Sequence, residues 1–295
     1  MISTLPRYGD LANACTEWAK IPLTDLKPRR DLNLSDKMMD WRESLTALKH
    51  FAASEGYTKP FDLEDYAALE NCMHWQAAGE NAYWLLIYGI DLGLSGDLLR
   101  AVYLETVALW RDYTTVASHA RDCMHDKTGD GYDIGPPINT HSSSYRTAVT
   151  LLALATLLDA QDEVPAVVED VLALDTDQLL DYLSAGALQL EEVSEELFHQ
   201  RPYGAMRPFF EQVSEALPDP LVPYLQTQYT NFFKLSPKQQ KKGGQWLGTG
   251  SWALEVAALA VLYGWDDAAL RSCPHYPADL VDYARSRGET EPIRS

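Results

Sequence analysis

The chain has 295 residues, a formal net charge of −19 and a pI near 4.6, and 46% of its residues are apolar. This much negative charge argues against nucleic acid as a partner, because phosphate is repelled, and this apolar content argues against disorder. No apolar run is long enough to span a bilayer, Met1 to Trp18 is too interrupted by Pro6, Arg7, Asp10 and Glu17 to be a secretory leader, and Cys15, Cys72, Cys123 and Cys273 form no CxxC pair. The expectation is a cytoplasmic protein with reduced thiols, no membrane contact and no cofactor, long enough to bury roughly three quarters of its unfolded surface.

Helical periodicity runs along nearly the whole chain and alternating strand patterns do not. The fold class therefore reads as all-α, a two-part helical bundle or irregular helical array with no sheet. Ser35 reads as the N-cap of a helix to about Ser54, with Met38, Trp41, Leu45, Leu48 and Ala52 on one face. A helix from Leu63 to Ala78 is expected to break near Gly79, resume through residues 83–88 and stop at Gly89, after which a helix is expected from Ser95 to about Arg121.

Between Asp126 and Ser144 the pattern collapses into Gly, Pro, Asp and Ser, which predicts an N-terminal helical domain over 1–130, a linker over 131–143 and a C-terminal helical domain over 144–288. Helices are expected near 144–159, 162–173, 176–184, 186–199, 204–217, 221–234, 250–263 and 276–285. Pro165, Pro223 and Pro277 all fit first turns. Tyr88-Gly89-Ile90-Asp91 and Tyr263-Gly264-Trp265-Asp266 share a helix-stop glycine followed by an aspartate suited to capping.

From Thr147 to Gln200 there are twelve acidic residues and not one Lys or Arg. Apolar runs such as Leu151-Leu152-Ala153-Leu154 mean that this stretch folds, so a folded acidic face is expected, fit for a basic partner surface. If 177–184 and 186–199 are consecutive antiparallel helices, Asp177 with Asp181, Glu191 with Glu195 and Glu192 with Glu196 lie one turn apart and form two charged ridges.

Other constellations carry less. Asp126-x-Thr128-x-Asp130-Gly131 begins like a calcium loop, but its twelfth position is Pro137 rather than a bidentate Glu. His119, Cys123 and His125, with Cys72 and His74, are too loosely spaced for a zinc site, and Lys241-Lys242-Gly243-Gly244 lacks the spacing of a phosphate loop. No metal is expected. Glu255 stands inside Trp252-Ala253-Leu254-Glu255-Val256-Ala257-Ala258-Leu259, where a carboxylate must find a partner. It reads as a structural anchor more readily than as a general base.

Those residues also carry a family likeness. Gly250 to Leu259, then Tyr263-Gly264-Trp265-Asp266-Asp267, then His275 to Arg285 with Tyr276-Pro277-Ala278-Asp279-Leu280-Val281-Asp282-Tyr283, resemble the C-terminal domain of PoNi-type immunity proteins. Trp252, Glu255, Asp266, Tyr276, Pro277, Asp279 and Tyr283 carry the motif. The resemblance implies a bacterial antitoxin, not an enzyme, that binds a nuclease toxin, usually a DNase delivered by a contact-dependent route such as type VI secretion, and blocks it stoichiometrically. The acidic stretch fits that implication, because a nuclease that grips DNA presents a basic cleft. Asp177, Asp181, Glu191, Glu192, Glu195 and Glu196 are the expected toxin-binding residues, and a homodimer stays open. The alternatives are an all-helical enzyme working through buried acids such as Glu255, and a helical protein-binding scaffold.

Overall fold

Two helices that are apolar on every side set the centre of the fold, since a helix without a polar face can only be buried. They are α5 (Tyr145–Leu157), with eleven of its thirteen residues buried, and α7 (Leu254–Leu262), buried throughout and packed against it. The computed structural model describes residues 7–29, 34–53, 67–129, 135–190, 192–210, 221–228, 252–273 and 275–287. The remaining long helices among these residues are α1 (Arg7–Lys20), α2 (Leu34–Ala53), α3 (Ala67–Leu92), α4 (Gly96–Thr128), α6 (Gln178–Leu188) and α8 (Ala278–Arg287). There is no strand among the described residues, so the chain is all-α.

Helices α1 to α4 pack on one another, with α3 lying mainly against α2 and α4, while α5 to α8 gather around the α5–α7 pair. Buried residues of both groups form one continuous core. Buried phenols tie the groups together: Tyr103 Oη donates to the Leu151 carbonyl at 3.0 Å and Tyr83 Oη to Thr150 Oγ1 at 3.4 Å. Within the expected linker, Ile138 and Thr140 are buried.

Several boundaries differ from the sequence reading, each for a tertiary reason. The chain forms α1 where no helix was expected, and Leu11, Cys15 and Trp18 on its buried face supply the 4–3 spacing that marks it. Helix α3 runs without a break through Gly79 and Gly89. A Cβ at Gly79 would meet the Trp110 ring at 2.9 Å, and one at Gly89 would meet Trp18 at 2.8 Å and Leu99 at 2.9 Å. Both glycines are close-packing sites against neighbouring helices, not stops. The two Gly-x-Asp sequences are therefore unlike in role, since Asp91 still lies inside α3 whereas Asp266 Oδ1 accepts from the Ala268 amide at 3.1 Å beyond the end of α7. Ser95 caps α4, accepting from the Leu98 amide at 3.5 Å, and that helix runs past Arg121 to Thr128.

The largest correction falls on 186–199. Helix α6 ends at Leu188, and residues 192–199 are irregular. Likewise 161–171 is a sequence of 3-10, α and π turns rather than one helix.

Candidate functional site

Ten of the twelve acids of the 147–200 stretch divide into three fates. Asp177 is fully buried and caps α6. Its carboxylate accepts from the Leu180 amide (3.1 Å), the Phe198 amide (2.8 Å) and Tyr145 Oη (2.8 and 2.9 Å). Burial raises its pKa against the pull of those three donors. Asp181, 8% exposed, accepts from the Ser194 amide at 2.8 Å, and the Gln178 amide donates to the Glu196 carbonyl at 2.7 Å. The expected ridge of Asp177 and Asp181 is thus not a surface feature. An aspartate at the N-cap and another in the first turn turn inward to satisfy amides of the following segment, which is why that segment is a loop and not a second helix.

A second group finds partners outside the stretch. Asp170 pairs with Arg111 (2.7 Å), Asp159 approaches Arg287 (3.5 Å), and Asp175 accepts from the Thr140 hydroxyl beside His141 Nε2 (3.4 Å). The third group faces solvent and comprises Asp162, Glu169, Glu192, Glu195 and Glu196, while Glu191 lies outside the described residues. Of the six expected contact residues, then, Glu192, Glu195 and Glu196 sit on an exposed loop pinned from beneath by the two buried aspartates. The His141 ring against Phe198 (4.0 Å between centroids) and the His199 Nε2 to Thr140 carbonyl contact (2.8 Å) pin the other end of that loop.

In the C-terminal motif each polar residue has a structural partner. Trp252 Nε1 donates to Asp91 Oδ1 at 2.8 Å, and Asp279 receives Arg29, whose guanidinium also donates to the carbonyls of Ile90 and Leu94. Tyr283 Oη donates to Asp97 at 2.7 Å with its ring lying over Gly96, where a Cβ would sit 2.4 Å from the ring. These three contacts fasten the end of the chain to the turn between α3 and α4. Tyr276 Oη donates to Asp267 Oδ2 (2.9 Å), and Arg285 and Arg271 close on the same carboxylate. Burial alone would raise the Asp267 pKa, but donors from Arg285, Tyr276 and Arg271 hold it below the usual range. Asp266 caps a turn at the surface while its neighbour Asp267 organises the network, a distinction that sequence could not draw inside an Asp-Asp pair. Pro277 is buried at the start of α8, where its carbonyl accepts from the Leu280 amide.

Glu255 is 2% exposed in the middle of the core. Tyr224 Oη donates to it at 3.3 Å, and the Arg146 charge, which also reaches Tyr203, lies close by. Burial pushes its carboxyl up to about 7, against the pull of Arg146 and Tyr224. Among the described residues no group of three or more His, Cys, Asp and Glu is placed to hold a metal ion. Asp130, Gly131 and the Lys241-Lys242-Gly243-Gly244 turn lie outside the described residues. Burial pushes the Cys15 thiol up to about 12 and raises Cys72 and Cys273, which makes these thiols poor nucleophiles. No helix among the described residues is long and apolar enough to cross a membrane.

Left-handed backbone marks three places in the acidic stretch, the first at Asp159 (φ 54°) just beyond α5. Ala173 (φ 53°) and Leu174 (φ 63°) follow one another, and Gln189 (φ 51°) ends α6. Such a conformation costs about 1–2 kcal/mol for a residue with a Cβ.

Comparison with known proteins places this geometry. Residues 175–280 match the C-terminal domain of PoNe immunity proteins (PoNi), and residues 6–128 match the PA2201 N-terminal domain-like family. No curated protein matches the chain. The crystal structure of protein PA2201 from Pseudomonas aeruginosa is 49% identical in sequence, covers 95% of this chain and 98% of its own, and superposes with a TM-score of 0.84. At that identity and coverage, the chain belongs to the same family as that PA2201 protein and carries the C-terminal domain of the PoNi immunity proteins.

Proposed function

We propose that this protein is an immunity protein that binds a cognate secreted antibacterial nuclease, a DNase of the type VI route, and silences it stoichiometrically from the cytoplasm without catalysis of its own. The observation that carries the reading is the match of residues 175–280 to the PoNi C-terminal domain. It is supported by the exposed acids Glu192, Glu195 and Glu196, held on a pinned loop and so preorganised for a basic surface. Glu191 extends the same sequence run and is proposed to join them. Asp177 and Asp181 contribute indirectly, by fixing the loop. Glu255, the acid an enzyme would use, lies sealed beneath Tyr224 and beside Arg146, which favours the anchor role.

Co-expression with the toxin encoded by the neighbouring gene tests the proposal. The expected outcome is a stable 1:1 complex on size exclusion, with loss of DNA cleavage at one equivalent. A chain that neither binds that toxin nor protects cells from it sinks the reading. Loss of protection in Glu255→Gln with binding and melting unchanged would instead support the enzyme.

A further inference from the structure

Three large apolar side chains stand exposed among the described residues: Met73 (64%), Leu174 (69%) and Leu190 (37%). Two of them lie in the acidic stretch. Leu174 is itself left-handed after left-handed Ala173, and Leu190 follows left-handed Gln189. Leucine is a poor choice for such a backbone, because its Cβ crowds the following carbonyl oxygen, a clash that glycine avoids and asparagine tolerates. Leu174 has no compensation from burial either. A residue that is unfavourable in both backbone and solvation in the free molecule points to something outside it.

The turn that displays Leu174 is rigid. Its amide donates to the Val168 carbonyl at 2.9 Å, the Asp175 amide to Leu172 at 3.0 Å, and the Thr176 amide to the Leu174 carbonyl at 3.2 Å. Asp175, next in the chain, is held by Thr140 and His141, and the His141 ring lies on Phe198 of the acidic loop. The same contacts that fix the turn therefore connect it to the loop carrying Glu192, Glu195 and Glu196. Glu169 stands exposed one turn back.

We propose that Leu174 is the apolar anchor of the toxin-facing surface. It enters an apolar socket on a basic partner face, and Glu169 with the loop glutamates forms the charged rim around it. Charge complementarity selects this occupant, since an apolar knob on a stretch that holds twelve acids and no Lys or Arg repels anionic lipid and disfavours a second copy of the same acidic surface. In such interfaces a few central, fully desolvated side chains carry most of the binding energy. The inference rests on the reading of the chain as an immunity protein.

The test uses the full chain and the catalytically silenced toxin of the neighbouring gene, with Kd and melting temperature measured for Leu174→Asn, Leu174→Gly and Met73→Asn. Both Leu174 variants are expected to weaken binding about tenfold or more while melting at the same temperature or higher, because they accept the left-handed backbone. Met73→Asn, on α3, leaves Kd unchanged. Toxin binding within twofold of the unaltered chain in both Leu174 variants overturns the anchor and leaves the immunity reading standing. A fall in melting temperature in both variants assigns Leu174 a structural role and also overturns it. A change in self-association at constant toxin Kd makes a second copy the occupant instead. If the unaltered chain does not bind the toxin, the immunity reading falls and the anchor with it.

Discussion

The acid-rich stretch 147–200 and the C-terminal segment 252–287 both hold many carboxylates but use them in opposite ways. In the C-terminal segment Asp267, Asp279 and Asp282 each face an arginine: Arg271 and Arg285, Arg29, and Arg271 respectively. There the charges are scaffold. In the acidic stretch some carboxylates turn inward onto amides, some meet cations from distant helices, and the remainder face solvent. Local composition thus fixes how much charge a segment carries but not which charges are available to a partner. That is decided by whether an amide or an arginine from elsewhere can reach them.

The sharpest way to break the comparison is at Asp267. Asp267→Ala takes the shared acceptor from Arg285, Arg271 and Tyr276 and should cost about 3 kcal/mol by denaturant unfolding, the scale for stranding a buried hydroxyl and losing charged hydrogen bonds to partly exposed arginines. Because its folded pKa lies below the ordinary 3.8, the stability this group adds is present above that value and is lost as the pH falls through the depressed one. A melting temperature unmoved by the substitution removes the scaffold claim for this segment.

Glu255 should behave with the opposite sign. Its folded pKa of about 7 lies above the unfolded 4.5, so the folded state holds the extra proton between these values and its contribution is fully present below 4.5, falls as the pH rises to 7 and is flat beyond. The gap in stability between the unaltered chain and Glu255→Gln should therefore shift by about 3 kcal/mol across that window, in favour of the variant as pH rises. A pH-independent gap means that the carboxyl is not buried without adequate compensation.

Asp177→Ala is expected to be milder, about 2 kcal/mol, from the lost helix cap and the unsatisfied Phe198 amide and Tyr145 hydroxyl. Its sharper signature is local: proteolysis within 189–199 should become faster, since the residue holds both the first turn of α6 and the far end of the loop. Unchanged cleavage would detach the acidic loop from the aspartates beneath it.

How much of this was legible beforehand depends on range. The all-α class, the helix that begins near Ser95 and the need for a partner at Glu255 follow from local pattern and from the cost of a buried charge. The identity of that partner does not, because Arg146 is brought to it by the packing of α5 on α7 and Tyr224 by the separate segment 221–228. The glycines of α3 read as breakers because sequence cannot show Trp110 or Trp18 pressed against them. The helix expected over 186–199 failed for a related reason. Residues of helical spacing, Glu191 with Glu195 and Glu192 with Glu196, lose to amides competed for by Asp177 and Asp181, and an i,i+4 pattern of like charges has no stabilisation of its own to resist. Among the six acids expected at the contact, those turned inward and those facing outward differ by burial, which no spacing reveals.

The smallest effect on the folded state is expected from the residues assigned the largest effect on recognition. Glu192, Glu195 and Glu196 are exposed, so reversing all three to Lys should change unfolding free energy by less than about 0.5 kcal/mol. If they rim the partner surface, the same change should slow toxin association sharply, because steering depends on the field outside the protein and not on contacts within it. Salt should mimic the substitution as the Debye length shrinks from about 10 Å at 0.1 M to about 3 Å at 1 M. The association rate of the unaltered chain should therefore fall more steeply with salt than that of the triple variant. Association indifferent to both would assign these acids to the solvated face, and the contrast between scaffold and recognition charges would then have to be drawn on a different surface of the molecule.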